Sequence, residues 1–321
     1  MPYCPVCGAR VEEEDRYCWN CGAPLEPAYL PSRKPVQPPS SLPSAIGEAF
    51  ASLVRPSPPI MHPSIAVYEK RPPYTPTRKY LYIGIILTVT GLTLVTLGRW
   101  TRFIGFTIAA FTSPILLLIW MYKNDRYERE PIPLIALTFG WGVISAFPAL
   151  LINTLLGWPP PFAALAEEPL KILGVYWLAT HKTLGKEFND HLDGMVYGAA
   201  AGAGFSGAEN LLYLIRFAPL IGAPLIILIR SITPITHIIC TGLAGRSLGL
   251  AKVRRGYVQP SDLIPGLLVA ITFHSLWNAA GILSLLILLP IYLATFIKLA
   301  REAVRDEVLW GYASGYAPVE P

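Results

Sequence analysis

The chain has 321 residues, 53% of them hydrophobic and only 15% charged, with a mean hydropathy of +0.44. Soluble domains carry about 25% charged residues, so this balance excludes an ordinary soluble enzyme and points to an integral membrane protein. The formal net charge of +5 reads as loop charge beside anionic lipid, and no basic stripe with interleaved aromatics supports a nucleic-acid partner.

The N-terminus is polar and cysteine-rich, unlike a signal peptide. Cys4, Cys7, Cys18 and Cys21 form two knuckles, Cys-Pro-Val-Cys-Gly and Cys-Trp-Asn-Cys-Gly. Each knuckle sets two thiolates on a tight turn, and four thiolates suit tetrahedral, structural zinc better than two disulfides. Residues 1–23 are therefore expected to be a small β-hairpin zinc ribbon, either a structural cap or a docking point for a protein partner. Free thiols imply a reducing compartment and a cytoplasmic N-terminus. Residues 24–79 are proline-rich and read as an extended linker, with one short amphipathic stretch at Ser44 to Val54.

Apolar runs long enough to cross a bilayer follow at 80–98, 103–122, 132–157, 161–180, 192–216, 231–250, 262–280 and 282–299. The expected architecture is an all-α polytopic membrane domain over 80–300, with about eight transmembrane helices and a tail at 301–321. Between the fifth and sixth spans, Ala218 to Ile229 is apolar but broken by Pro219 and Pro224, and reads as an interfacial or re-entrant piece, or else as an extension of the sixth span. With the N-terminus inside, Arg78, Lys79, Lys123, Lys182, Lys186, Lys252, Arg254, Arg255, Lys298 and Arg301 all flank inner ends. The outer flanks keep Arg99, Arg102, Arg216 and Arg230, so the positive-inside bias agrees with the thiols and places both termini in the cytoplasm.

Several spans carry groups that a bilayer solvates badly. The fourth holds Glu167 and Glu168, about 100° apart on a helix, with Lys171 within reach of either. The fifth holds Glu209 and Asn210 beyond a row of Gly194, Gly198, Gly202 and Ser206, a face that lets another helix approach closely. Asp193, near its start, suits a helix cap. The sixth holds His237, and the seventh holds His274 and Asn278, four apart and so on one face. Glu167, Glu209, His237 and His274 each fall about seven residues, roughly 10 Å, from the outer end of their spans. Ionisable residues in such a layer mark function before structure.

These residues resemble the PrsW family of intramembrane proteases. The resemblance rests on Asp125 to Pro131, Phe139 and Gly142, Glu167-Glu168-x-x-Lys171, Asp193-Gly-x-x-Tyr197-Gly198 through Gly204-Phe205 to Glu209-Asn210, then His237 and His274-x-Leu-Trp-Asn278. It covers roughly 115–285, so the ribbon and linker lie outside it. That family commonly has Asp where this chain has Asn278, which removes a carboxylate there. It is similar in turn to the C-a-a-X prenyl endopeptidase superfamily. The resemblance implies hydrolysis of a peptide bond in a membrane protein or peptide substrate within the lipid bilayer. Glu167 is expected as the base that activates water, with Glu168 oriented by Lys171. His237, His274 and Asn278 would steady water and the oxyanion, and Glu209 would orient a histidine. The same histidines and glutamates could instead hold a catalytic zinc, though no His-Glu-x-x-His is present. Two readings of another class use the same buried residues: a proton- or ion-coupled transporter, and a non-catalytic scaffold.

Overall fold

The structure, a computed structural model, describes residues 78–125 and 129–310, with side chains omitted for Asn124 and 305–310. The expected ribbon with its four cysteines, nearly all of the linker and most of the tail lie outside these residues. Among the described residues every regular element is helical: α1 (Arg78–Leu97), α2 (Arg99–Asn124), α3 (Ile132–Leu156), α4 (Pro160–Thr180), α5 (His191–Ile221), α6 (Ala223–Arg230), α7 (Thr233–Arg255), α8 (Leu263–Ala279) and α9 (Leu289–Trp310).

Local chemistry sets these boundaries. Proline opens α3, α4, α6 and α7, where its missing N–H costs nothing. Gly157 (φ 59°) and Gly256 (φ 80°) close α3 and α7 in the left-handed region. At the start of α5, Asp190 caps the backbone of Leu192 and Asp193, and the Asp193 carboxylate returns to the amides of Asn189 and Asp190. Asp193 thus completes a capping box whose N-cap is Asp190.

Five segments are long and apolar enough to cross a membrane: Arg78–Leu97, Arg99–Lys123, Ile132–Leu156, Ala223–Arg255 and Ser284–Val304. The fourth joins α6 to α7, so most of the stretch expected as interfacial continues into the sixth apolar run. The rest of it finishes α5, which runs on through Pro219 to Ile221. Helices α4, α5 and α8 fall short of the plain apolar criterion. Glu167, Glu168 and Lys171 sit within α4, and α8 has only 17 residues. A helix walled in by other helices need not be apolar on every face.

Those three helices belong to a ring. Going round, α3 packs on α4, α4 on α8, α8 on α7, α7 on α5 and α5 back on α3, while α4 also reaches across to α5 and α7. The α5–α7 contact is the most extensive in the molecule, and the glycine row makes it possible. A Cβ on Gly198 would lie 2.4 Å from the Thr241 carbonyl, and one on Gly202 would lie 2.4 Å from that of His237. Backbone-to-backbone approach at these two positions delivers the polar residues of α7 to the ring interior. The α3–α4 contact is built on an indole: Trp141 covers Gly174 and donates to the Leu170 carbonyl at 2.8 Å. Helices α1 and α2 pack together, with α2 against α5; α9 joins α8 through Tyr292, which stacks on Phe273 and bonds its carbonyl.

Candidate active site

Every helix of the ring sends a polar side chain inward, and these side chains form one connected network. On α4, Glu168 is completely buried and saturated. Its Oε1 accepts from Lys171 Nζ at 2.5 Å and from His274 Nδ1 at 2.7 Å, and its Oε2 accepts from Thr241 Oγ1 at 3.1 Å. Lys171 therefore pairs with Glu168, three residues back, and not with Glu167. Its ammonium also lies 3.1 Å from His237 Nδ1 and 4.6 Å from the centre of the Phe205 ring.

Donor and acceptor roles then follow by elimination. A lysine ammonium can only donate, so His237 Nδ1 accepts and its Nε2 carries the proton. That Nε2 lies 3.0 Å from Glu209 Oε2, which also accepts from Arg230 Nη2 at 2.5 Å. On the other side, Glu168 can only accept, so His274 Nδ1 carries a proton, and in the neutral imidazole Nε2 presents a lone pair. This lone pair faces Glu167 Oε2 across 3.6 Å. Glu167 Oε1 accepts from Asn153 Nδ2 at 3.1 Å, while Oε2 is buried with no hydrogen-bond donor.

The charges are equally uneven. Arg230 offsets Glu209, and Lys171 offsets Glu168. Glu167 is left as the one carboxylate of the network without a matched cation. Two acceptors that face each other in a dry interior are unfavourable unless a proton, a water or a metal ion stands between them. The geometry thus sets the unpartnered Glu167 oxygen 3.6 Å from His274 Nε2, at the centre of the network.

Glu167, Glu168, Glu209, His237 and His274 all meet in this network. Asn278 does not: its amide donates to the Pro160 carbonyl at 3.0 Å, on an exposed edge where the end of α8 meets the start of α4. The equal-depth count holds less well than the convergence itself. Glu209 stands twelve residues before the end of α5, because that helix continues to Ile221. Three contributors are absent from the sequence-level candidates: Asn153, Thr241 and Arg230. Asn153 has a signal, as a lone amide in an apolar run. Thr241 has none, since helical threonines commonly bond their own backbone. Arg230 reads in the sequence only as an outer flanking charge.

A second buried acidic cluster lies at the other end of α5. Glu130, just before α3, accepts from the Tyr197 hydroxyl and hydrogen-bonds the Asp193 carboxyl. Burial pushes the Glu130 carboxyl up to about 8.

Comparison with known proteins follows the same residues. The family described as PrsW family intramembrane metalloprotease matches residues 130–300, and a zinc-ribbon domain matches residues 3–25. Protease PrsW of Geobacillus kaustophilus is 31% identical over 174 residues, which is 49% of this chain and 74% of that protein. Protease PrsW of Bacillus subtilis is 31% identical over 182 residues, covering 50% of this chain and 78% of the relative. That of Halalkalibacterium halodurans is 26% identical over 218 residues, covering 61% and 97%. No solved structure matches the chain. The matched region contains every ring helix and every residue of the network, and the chain belongs to the PrsW family of intramembrane metalloproteases.

Proposed function

We propose that this membrane protease cuts a membrane-associated protein by using Glu167 as the group that takes a proton from water. The supporting observation is the unpartnered Oε2 of Glu167 opposite the lone pair of His274. A water in that gap donates one hydrogen to Glu167 and the other to His274 Nε2, leaving its oxygen free to attack a carbonyl. Glu167 then returns its proton to the leaving amine. Glu168 does no proton chemistry in this reading; Lys171 and Thr241 hold it, and it holds His274 in one tautomer. His237, fixed between Lys171 and Glu209, flanks His274 with ring centres 4.8 Å apart. Asn278 assists indirectly, by tying α8 to the start of α4.

The same gap fits the metal that the family name implies. Glu167, His237 and His274 offer one ligand atom each within 4.8 Å of one another, and Glu168 behind His274 matches the carboxylate that usually backs a metal-bound histidine. Bound there, zinc would polarise the substrate carbonyl and acidify its water. His237 would have to release Glu209 or Lys171 to join, so His274 and Glu167 are the readier ligands.

The remaining parts of the reading are topological. Eight spans, formed by α1 to α5, α6 with α7, α8 and α9, put both termini in the cytoplasm and the site nearer the outer face. The four cysteines hold a structural zinc ahead of a linker, where the ribbon could engage a protein partner.

The test is cleavage of a single-span membrane substrate by the full chain. Glu167→Gln and His274→Ala should each lower the rate by about 10²–10⁴-fold, and Glu167→Gln should trap uncut substrate in native membrane. Normal cleavage by both variants would overturn the assignment. Zinc analysis of the same preparations separates the two chemistries: a site ion disappears in His274→Ala, whereas the ribbon ion disappears in Cys4→Ser.

A further inference from the structure

We propose that Arg230 is a positioning residue of the protease site, acting through Glu209 on His237; this rests on the reading of the site given above. Arg230 ends α6, a short helix packed outside the ring, and both its side chain and its carbonyl are held. Its Nη2 meets Glu209 Oε2 at 2.5 Å, its Nε donates to Asn210 Oδ1 at 2.7 Å, and its guanidinium lies 4.1 Å from the centre of the Tyr213 ring. Its own carbonyl accepts from Asn210 Nδ2 at 3.0 Å and from Thr233 Oγ1 at 3.2 Å. An outer flanking charge serving only topology would extend into water. This one is 11% exposed and is aimed into the ring.

The reason lies in Glu209. One oxygen, Oε2, receives both the Arg230 guanidinium and the His237 Nε2 proton. His237 cannot turn its ring over, because Lys171 donates to Nδ1. The histidine therefore depends on a carboxylate acceptor at Nε2, and that carboxylate depends on a cation. Without Arg230, Glu209 is a lone anion in a site whose ammonium, that of Lys171, is committed to Glu168 and His237. Its side chain is 19% exposed, the most open of the acidic groups in the network. The available relief is to swing toward the outer side, leaving Nε2–H without an acceptor and the imidazole free to tilt. Arg230 also bridges α6 to α5 and so links the outer helix to the position of His237.

A double-mutant cycle tests this against a purely structural clamp. The four chains are wild type, Arg230→Gln, Glu209→Gln and Arg230→Gln/Glu209→Gln, with kcat, KM and protein level in membranes as readouts. Glutamine at 209 still accepts from His237 but carries no charge for Arg230 to offset. The expected result is a kcat loss of about tenfold or more in Arg230→Gln at little-changed KM, since loss of a supporting partner costs about 10–100-fold. Arg230→Lys should recover most of it. In the Glu209→Gln background, Arg230→Gln should add little, so the two changes are strongly non-additive. Additive losses, or no recovery by lysine, would overturn the proposal in favour of a clamp on Asn210. If Arg230→Gln fails to accumulate, the double variant decides: accumulation supports an unpaired Glu209 charge as the cause, and failure overturns it. Failure of the site reading itself is distinct, because Glu167→Gln would then cleave normally.

Discussion

Helix α5 carries a buried carboxyl cluster at each end, and the two differ in what surrounds them. Asp193 and Glu209 are sixteen residues apart on α5, which is about 24 Å along a helix. Near Glu209, each of Glu168 and Glu209 has its own cation and several donors, so both can stay ionised with water excluded. Near Asp193, the contacts are Glu130 and the Tyr197 hydroxyl, and further acids at Asp125 and Asp190 raise the cost of charge. That cluster relieves itself by holding a proton between Glu130 and Asp193, and it fastens the residue ahead of α3 to α5. The difference teaches where reactivity comes from. Burial alone yields a neutral, inert acid. Neighbours that are neutralised in pairs, with one oxygen left over, yield a group suited to take a proton, which is the role proposed for Glu167.

The sharpest way to break the comparison is to give the Glu209 end of α5 the composition of the Asp193 end. Lys171→Met removes the cation from Glu168 and leaves a fully buried charge with only Thr241 and His274 as donors. Removing one partner of a buried pair costs about 3–5 kcal/mol. The variant should show a large drop in the midpoint of detergent-solubilised thermal unfolding together with loss of cleavage. A variant that unfolds at the wild-type temperature would show that Lys171 is not the countercharge.

Next in size is the partner of the reactive oxygen's twin. Asn153→Ala leaves Glu167 Oε1 without its donor while every ion pair stays intact. The carboxylate is then free to turn about its terminal bond, and only part of that turn keeps an oxygen facing His274. Cleavage should fall about 10–100-fold, the usual cost of losing a supporting hydrogen bond to a ligand or catalytic group. Unfolding temperature should barely move. A stability loss as large as that of Lys171→Met, with kcat intact, would make Asn153 a packing residue.

The inner cluster has its own signature, in pH. Glu130 holds its proton in the folded protein up to about 8, whereas an unfolded chain releases it near about 4.3. Between these values the folded state binds more protons, so stability falls as pH rises. The contribution is complete below the lower value and gone once the pH passes the upper one. Unfolding temperature should therefore decline between pH 6 and pH 9 more steeply in wild type than in Glu130→Gln, which hydrogen-bonds Asp193 and Tyr197 without titrating. Equal slopes would remove the shared proton from the account.

Much of this architecture is legible in the order of the residues. Because a membrane forces each backbone to satisfy itself, apolar run lengths place the helices to within about five residues, except α9, whose Leu289–Trp310 lies well beyond the expected 282–299. The glycine row announces the tight α5–α7 contact, and cost alone marks Glu167, Glu168, Glu209, His237 and His274 as functional. Pairing is what the order of residues hides. Lys171 stands within reach of both glutamates, and only the three-dimensional arrangement of His237 and His274 decides that it serves Glu168. Arg230 is hidden by its position: at a span end it satisfies the topology rule so well that the rule explains it away. Thr241 becomes visible only once helices far apart in sequence lie side by side.

Asn278 makes the smallest and most pointed test, because the family pattern and the geometry pull in different directions. Its place one turn beyond His274, on the same face of α8, argues for direct contact with reacting atoms. Its amide instead donates to the Pro160 carbonyl on an exposed edge. A solvent-accessible hydrogen bond of this kind is worth about 0.5–1.5 kcal/mol. What it holds is the first turn of α4, seven residues before Glu167. Asn278→Ala should therefore cost only a few-fold in cleavage, with a small fall in unfolding temperature. Asn278→Asp should do the same, since a carboxylate cannot donate to a carbonyl and would lose the bond. A loss comparable to His274→Ala in the alanine variant, with activity kept by aspartate, would place this side chain among the reacting groups and require the end of α8 to turn inward when substrate binds.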